Sequence, residues 1–271
     1  MEQMDYKWAL DRPIKVGYSE VVEGSKRRLP PNKYYYYPKM GNISILTSAM
    51  AREVGDILLT CKVLEINLKE KYVITIKGKF YFEYLISSLP LDYVNEITVD
   101  LPGKLKEAAR NNFKHLGILI FNLVFDGRHK LDGTAIYYPE KKFCFRRVSI
   151  LQNLCPALSR PNLTPISVEL SITQDKEISE ADILKKILFN FSQIEGLRDL
   201  GKPVDWKVLK VDFAYPLQIK GLRESVKEFQ DYYAKFKAYH CGRSANLDYC
   251  NGDQAYKQGK EIVNKILCRK N

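Results

Sequence analysis

Residues 58–90 constrain the fold more than any other stretch. Leu58 to Ile66 has strand character, with Leu59, Cys61 and Val63 alternating. Tyr72 to Lys77 alternates again, Tyr72, Ile74 and Ile76 against Val73, Thr75 and Lys77. Lys79 to Tyr84 follows through Gly78, and the charged link 68–71 turns between the first two runs. β-branched and aromatic residues at period two, broken by short polar turns, specify a three-strand meander. Leu85 to Leu91 then reads as a short buried strand ending at Pro90.

The rest of the chain alternates helical and strand patterns. Residues 43–54 place Ile43, Leu46, Ala49, Met50 and Val54 on one helical face, and 104–114 is a second helix. Strands are expected over 116–125, 133–138, 143–150, 165–172 and 208–215. Ser179, with Glu180 and Asp182 behind it, opens a helix to about Glu195. Another helix runs over 223–238. The last begins near Asp253, read as its N-cap, and carries Ala255, Ile262, Val263, Ile266 and Leu267 at helical spacing.

Composition bounds the partners. Forty-three basic residues against 32 acidic ones give a net charge of +11 over 271 residues, which favours anionic ligands. The basic residues are interleaved with acidic ones, and the longest basic run is Lys26-Arg27-Arg28, so no nucleic-acid footprint is expected. The most apolar stretch, Leu116 to Phe125, is too short to span a bilayer, and the N-terminus lacks an apolar signal core. Six cysteines at 61, 144, 155, 241, 250 and 268, none spaced C-x-x-C, point to reduced thiols and a cytoplasmic setting. His240, Cys241 and Cys250 match no common zinc spacing, so no metal is assigned. The three histidines have no obvious local partner, and no catalytic residue is assigned.

The stretch 242–259, GRSANLDYCNGDQAYKQG, carries more information. Gly242 loosens the backbone, and Arg243 precedes a helix start whose free N–H groups favour an anion. Gly242, Arg243, Tyr249, Asn251, Asp253 and Gly259 resemble the last flavin-contacting segment of the FAD-dependent amine oxidase superfamily, which includes protoporphyrinogen oxidase and UDP-galactopyranose mutase. Three further stretches stand in that superfamily's order: Tyr37-Pro38-Lys39-Met40-Gly41, Val63 to Ile66, and Ile86 to Pro90. Phe145 to Val148, Glu169 and Ala214-Tyr215-Pro216 resemble elements of its substrate domain. Asn42, Ala245 and Asp248 depart from its pattern.

The resemblance implies an α+β protein: an α/β cofactor-domain remnant with a three-strand meander, plus a mixed-sheet substrate domain with flanking helices. It assigns 34–95 and 236–271 to the FAD-binding domain, and 1–33, with Trp8 and Arg12-Pro13, and 96–235 to the substrate domain. FAD is the implied cofactor. Gly242, Arg243, Asn251, Asp253 and Gln254 would line its pyrophosphate and ribityl chain, and Val63 would flank the adenine. Arg146, Arg147 and Tyr215 are the implied substrate contacts, Glu169 otherwise reading as an edge-strand charge. The implied chemistry is hydride transfer from a small-molecule substrate to flavin. A flavin-dependent isomerase of the UDP-galactopyranose mutase type and a non-enzymatic binding domain without FAD are the alternatives. No two glycines are spaced G-x-G anywhere, so the pyrophosphate cradle of such enzymes is absent: either a separate polypeptide supplies it, or the chain is a truncated product, or the cofactor has been lost. Gly196 to Lys202 imitates a phosphate loop, but Pro203 stands where Ser or Thr must hold magnesium, so it reads as a helix-ending turn.

Overall fold

The structure, a computed structural model, describes Pro38, residues 42–172 and residues 179–268. The expectations placed on Trp8, Arg12-Pro13, and Tyr37 with Lys39 to Gly41 lie outside the described residues. Two compact units are present, one built from 54–114 and 215–268, the other from 42–53 and 115–214. Helices and both parallel and antiparallel strand pairs make the chain α+β.

In chain order the elements are α1 (Ser44–Arg52), β1 (Val63–Asn67), β2 (Tyr72–Thr75), β3 (Gly78–Tyr81), β4 (Leu85–Ser87), α2 (Leu91–Ile97) and α3 (Gly103–Asn112). Then follow β5 (His115–Asp126), β6 (Ala135–Tyr137), β7 (Arg147–Ile150), α4 (Leu151–Leu154), β8 (Leu163–Ile172) and α5 (Glu180–Phe191). The chain continues through β9 (Pro203–Pro216), α6 (Leu222–Ala234), β10 (Ala238–His240), α7 (Arg243–Asn246) and α8 (Gly252–Cys268).

The first unit holds the meander β1-β2-β3, all antiparallel, as the alternation requires. Its first strand starts at Val63, later than expected, because Thr60 adopts φ 50° in a turn ahead of it. Two backbone N–H groups after β1, Leu68 and Lys69, donate to the Asp100 carboxylate at 3.0 and 2.8 Å and fix the loop. β4 is shorter than the expected strand. Pro90 launches a helix instead, since a proline suits the first turn of one and donates nothing there. β4 pairs in parallel with β10, Leu85 against Ala238 and Ser87 against His240. β10 lies where the sequence reading ran the preceding helix on to Ala238. The helix stops at Ala234, and Lys237 at φ 61° turns the chain into the strand. Ile66, Leu68, Leu91, Val94, Phe113, Phe229 and Tyr233 form this unit's core, with Phe229 stacked on Tyr233 at 4.8 Å.

The second unit is a five-stranded sheet, order β6-β7-β8-β5-β9. β5 and β8 run antiparallel in a register that sets Leu119 against Leu170, Phe121 against Val168 and Leu123 against Ile166, all buried. α5 covers that face with Ile187 and Phe191. Ser179 caps α5 as the sequence indicates, its Oγ accepting the Asp182 N–H at 3.3 Å. The Gly196 to Gly201 stretch after α5 is a turn, with Gly201 at φ 69°. The apolar residues of α1, Ile43, Leu46 and Met50, are exposed.

Phe229 is fully buried between Phe113, Tyr233 and His240. Phe229→Ala is expected to cost about 3–5 kcal/mol, read as a drop in the denaturant midpoint with the slope unchanged.

Candidate functional site

The candidate site is built where the chain leaves β10. The Cys241 N–H donates to the Ser87 carbonyl at 3.0 Å, the last rung of the parallel pair. Gly242 then adopts φ 93°, ψ 169°, a conformation that strains any residue with a Cβ. A Cβ there would meet nothing within 4 Å, so the glycine is required by backbone shape and leaves an open approach in front of it. α7 follows for a single turn, Leu247 reverses the chain at φ 47°, and Asn251 leads into α8.

A polar chain locks this loop. The Gly242 N–H donates to Gln258 Oε1 at 2.8 Å, and Asn246 Nδ2 donates to the same oxygen at 2.9 Å. Gln230 Nε2 from α6 donates to Asn246 Oδ1 at 2.8 Å, and Gln218 Nε2 to the Leu247 carbonyl at 2.8 Å. Arg243 turns inward: its Nε and Nη2 both donate to the Cys250 carbonyl, at 2.9 and 2.7 Å. Its guanidinium lies over the rings of Tyr249 and Tyr215, which stack on each other at 6.2 Å. Tyr215 therefore stands beside Arg243, within the first unit. Asp253 is a first-turn residue rather than the cap. Asn251 precedes the helix, its carbonyl accepting from Ala255 at 2.9 Å while its N–H donates to Gln254 Oε1 at 2.9 Å. Ala245, a departure from the expected pattern, is fully buried, so its methyl belongs to the loop's interior. At Val63, the carbonyl accepts from the Tyr93 hydroxyl at 2.7 Å.

Which groups could then hold a ligand? Gly242, Arg243 and Gln254 are committed to the loop itself, as is the Asn251 amide. The first amides of α8, at Gly252, Asp253 and Gln254, have no intrahelical acceptor, and the Asp253 carboxylate is exposed beside them. Donors at a helix start suit phosphate oxygens, and a carboxylate suits hydroxyl donors of a polyol. An open approach at Gly242 beside both chemistries fits the middle of a dinucleotide such as FAD.

An open surface pocket of about 300 Å3 is lined by Gln230, His240, Asn246, Gln258, Glu261 and Lys265, among others. His240, invisible to sequence reasoning as anything but a zinc candidate, is buried against Phe229 and Tyr233, and neither ring nitrogen has a hydrogen-bond partner among the described residues. Burial pushes its pKa down to about 3. Burial also raises the Cys241 thiol, which keeps it protonated. No cluster of three metal-binding side chains is present among the described residues.

In the second unit, Arg147 stands on β7 opposite Tyr137 on β6 and Glu169 on β8. Arg147 Nη2 donates to Glu169 Oε1, and its guanidinium lies 5.9 Å from the Tyr137 ring. β8 is the central strand, so Glu169 is a buried ion-pair partner rather than an edge charge. Burial opposes the charge of Arg147, but hydrogen bonds to Tyr137 and Glu169 outweigh it and raise its pKa. Its buried Nε has no acceptor among the described residues. Arg146, on the alternate face, is partly exposed and lies 3.5 Å from Ser171 Oγ.

No family model matches the chain, and no curated protein does. Solved structures do. A reduced UDP-galactopyranose mutase superposes with a TM-score of 0.76 at 17% identity, over 85% of this chain and 52% of the other. A protein of Exiguobacterium sp. 255-15, provisionally described as a protoporphyrinogen oxidase, gives 0.68 at 13% identity, over 83% and 51%. Putrescine oxidase bound to putrescine gives 0.64 at 14% identity, over 84% and 53%. The chain shares the fold of these proteins and spans about half the length of the structures it matches. No helix of the described residues is long and apolar enough to cross a membrane.

His240 predicts an acid-sensitive fold. Its folded pKa lies below the ordinary 6.5, so the stability it confers is complete above pH 6.5 and falls as the unfolded chain takes up a proton that the native state refuses. Carried to the native pKa, the loss is about 5 kcal/mol. Melting temperature should drop between pH 6.5 and 5, before most carboxylates titrate, and His240→Leu should flatten that slope.

Proposed function

We propose that this chain forms one side of a flavoenzyme site, with Gly242 and the start of α8 holding the ribityl and pyrophosphate part of FAD. The single observation that carries the reading is the loop itself: an open glycine at φ 93° between a parallel strand and a helix start, within an amine-oxidase-like fold. Bound flavin would supply hydride acceptance from a small-molecule substrate. The chain's own residues bind and orient. The first amides of α8, Gly252 to Gln254, would hold phosphate oxygens, and the Asp253 carboxylate would accept from ribityl hydroxyls. Arg243 holds the loop by pinning the Cys250 carbonyl, with Tyr215 and Tyr249 around it. It is a positioning residue, as are Gln258 and Asn251. Val63 would flank the adenine.

On the sheet face, Arg147 is the proposed substrate contact, with Arg146 as a second cation nearby in sequence. The guanidinium charge of Arg147 favours a substrate carrying an acceptor such as carboxylate or phosphate. Isomerisation of a nucleotide sugar is the second reading. The net charge of +11 suits its diphosphate. A separate polypeptide with a G-x-G-x-x-G turn would complete the cofactor site, and the cytoplasm is the proposed setting.

The test is titration of the purified chain with FAD, followed by the visible absorbance of bound flavin, alone and with a completing polypeptide. Asp253→Ala is expected to weaken binding roughly 10- to 100-fold, the loss of a hydrogen bond to a charged group. Gly242→Val should abolish it, because valine cannot adopt the required backbone. Unchanged affinity in both variants would rule the site out. No binding in any combination would leave a binding domain without flavin.

A further inference from the structure

We propose that the pocket lined by α6, β10, α7 and α8 is a binding site for a small uncharged amide or lactam. Neither Gly242 nor the first turn of α8 lines it, so the site stands apart from the flavin reading.

The helical repeat brings the lining together. On α8, Gln258, Glu261, Ile262 and Lys265 follow at i, i+3, i+4 and i+7, which puts them on one face. On α6, Val226 and Gln230 stand one turn apart. His240, the last residue of β10, and Asn246, the last of α7, complete the lining. At about 300 Å3 the pocket lies at the small end of ligand sites.

Its polar groups have a fixed sense. A backbone N–H can only donate, so the 2.8 Å bond from the Gly242 N–H identifies the Gln258 atom it meets as the amide oxygen. Asn246 Nδ2 must then donate to that oxygen, at 2.9 Å, which leaves Asn246 Oδ1 to accept from Gln230 Nε2 at 2.8 Å. One end of each glutamine amide is thereby spent. The other ends, Gln258 Nε2 as donor and Gln230 Oε1 as acceptor, have no partner among the described residues. Their orientation is set before any ligand arrives, which lowers the cost of binding one.

His240 adds a third unfilled group. It is 7% exposed, and its two ring nitrogens are buried without a hydrogen bond among the described residues. The ring must turn about its Cβ–Cγ bond to present one of them, and that torsion is broad. Burial keeps the imidazole neutral, with one donor and one acceptor nitrogen.

These groups select the ligand. Gln230, Asn246, Gln258 and the imidazole are all uncharged. Glu261 and Lys265 are exposed and opposite in sign, so the pocket favours neither a cation nor an anion. No cluster of three metal-binding side chains occurs among the described residues. An amide or lactam matches what is left. Its carbonyl would accept from Gln258 Nε2, and its N–H would donate to Gln230 Oε1 or to the bare nitrogen of His240. Val226 and Ile262 would cover its apolar atoms.

The experiment titrates uracil, an uncharged lactam, into the purified chain with no FAD present. Calorimetry is expected to show saturable one-to-one binding with a Kd of about 1 mM or tighter. With nitrogen-15 histidine in the chain, the ring nitrogens of His240 should shift along the same curve. The missing signals of His240→Phe assign them. Uracil methylated on both ring nitrogens keeps its shape and loses its donors, and should bind at least about tenfold more weakly. Ile262→Trp fills the pocket and should abolish binding while circular dichroism is unchanged. Should that variant not fold, His240→Phe carries the test, with uracil weakened about tenfold. Failure of uracil to saturate overturns the proposal. So does equal affinity for the methylated ring, or binding that survives both variants. Benzoate or benzylamine binding more tightly than uracil, with the same shift at His240, overturns it in favour of a charged ligand.

Discussion

Register between Leu85 and Ala238, and between Ser87 and His240, fixes where the chain leaves the sheet. Everything at the candidate site hangs from that rung. The Cys241 N–H to Ser87 bond aims Gly242 outward, the glycine's positive φ turns the chain into α7, and the Arg243 fork onto Cys250 closes the loop before α8 begins. Shifting the pairing by one residue would exchange the faces of Tyr239 and His240 and take the imidazole away from Phe229 and Tyr233. The placement of His240 against Phe229 and Tyr233 is thus a consequence of the same register that positions the loop at Gly242. A group with two unfilled nitrogens is tolerated there because it stays neutral between Phe229 and Tyr233.

The meander was legible because its strands alternate strictly and its turns are polar or glycine-marked. The cap at Ser179 was legible because it is local chemistry. β10 was not: three residues, Ala238, Tyr239 and His240, carry no alternation, and they follow a helix whose apolar period runs on past its real end. Pro90 was read as a strand terminator, whereas a proline equally begins a helix. Position in the sheet was out of reach too. Glu169 looks like any charge in a strand until β8 is known to be central, with Arg147 brought opposite it by a register no local pattern encodes.

The segment 242–259 stands out in the sequence by its likeness to a flavin-contacting stretch, and the structure makes it a loop between a parallel strand and a helix start. Its residues divide differently from the first assignment. Arg243 and Gln254 serve the loop, and so does the Asn251 amide. The groups left for a ligand are main-chain amides of α8 and one carboxylate. Sequence names side chains and is blind to backbone donors, which is why the assignment leaned on Arg243. Tyr215 illustrates the same limit: at the end of β9 it stacks with Tyr249 beside Arg243, a placement no local pattern encodes.

Chain order has a kinetic consequence. The five-stranded sheet is drawn from one contiguous run, β5 to β9, whereas β4 must wait for β10, roughly 150 residues later. Closing so long a loop is slow relative to pairing neighbours. During synthesis the sheet of the second unit is complete while Ile66, Leu68 and Leu91 still lack Phe229 and Tyr233. The meander half therefore waits longest with its apolar face uncovered, and the loop at Gly242 closes only after β10 has paired and α8 has followed it.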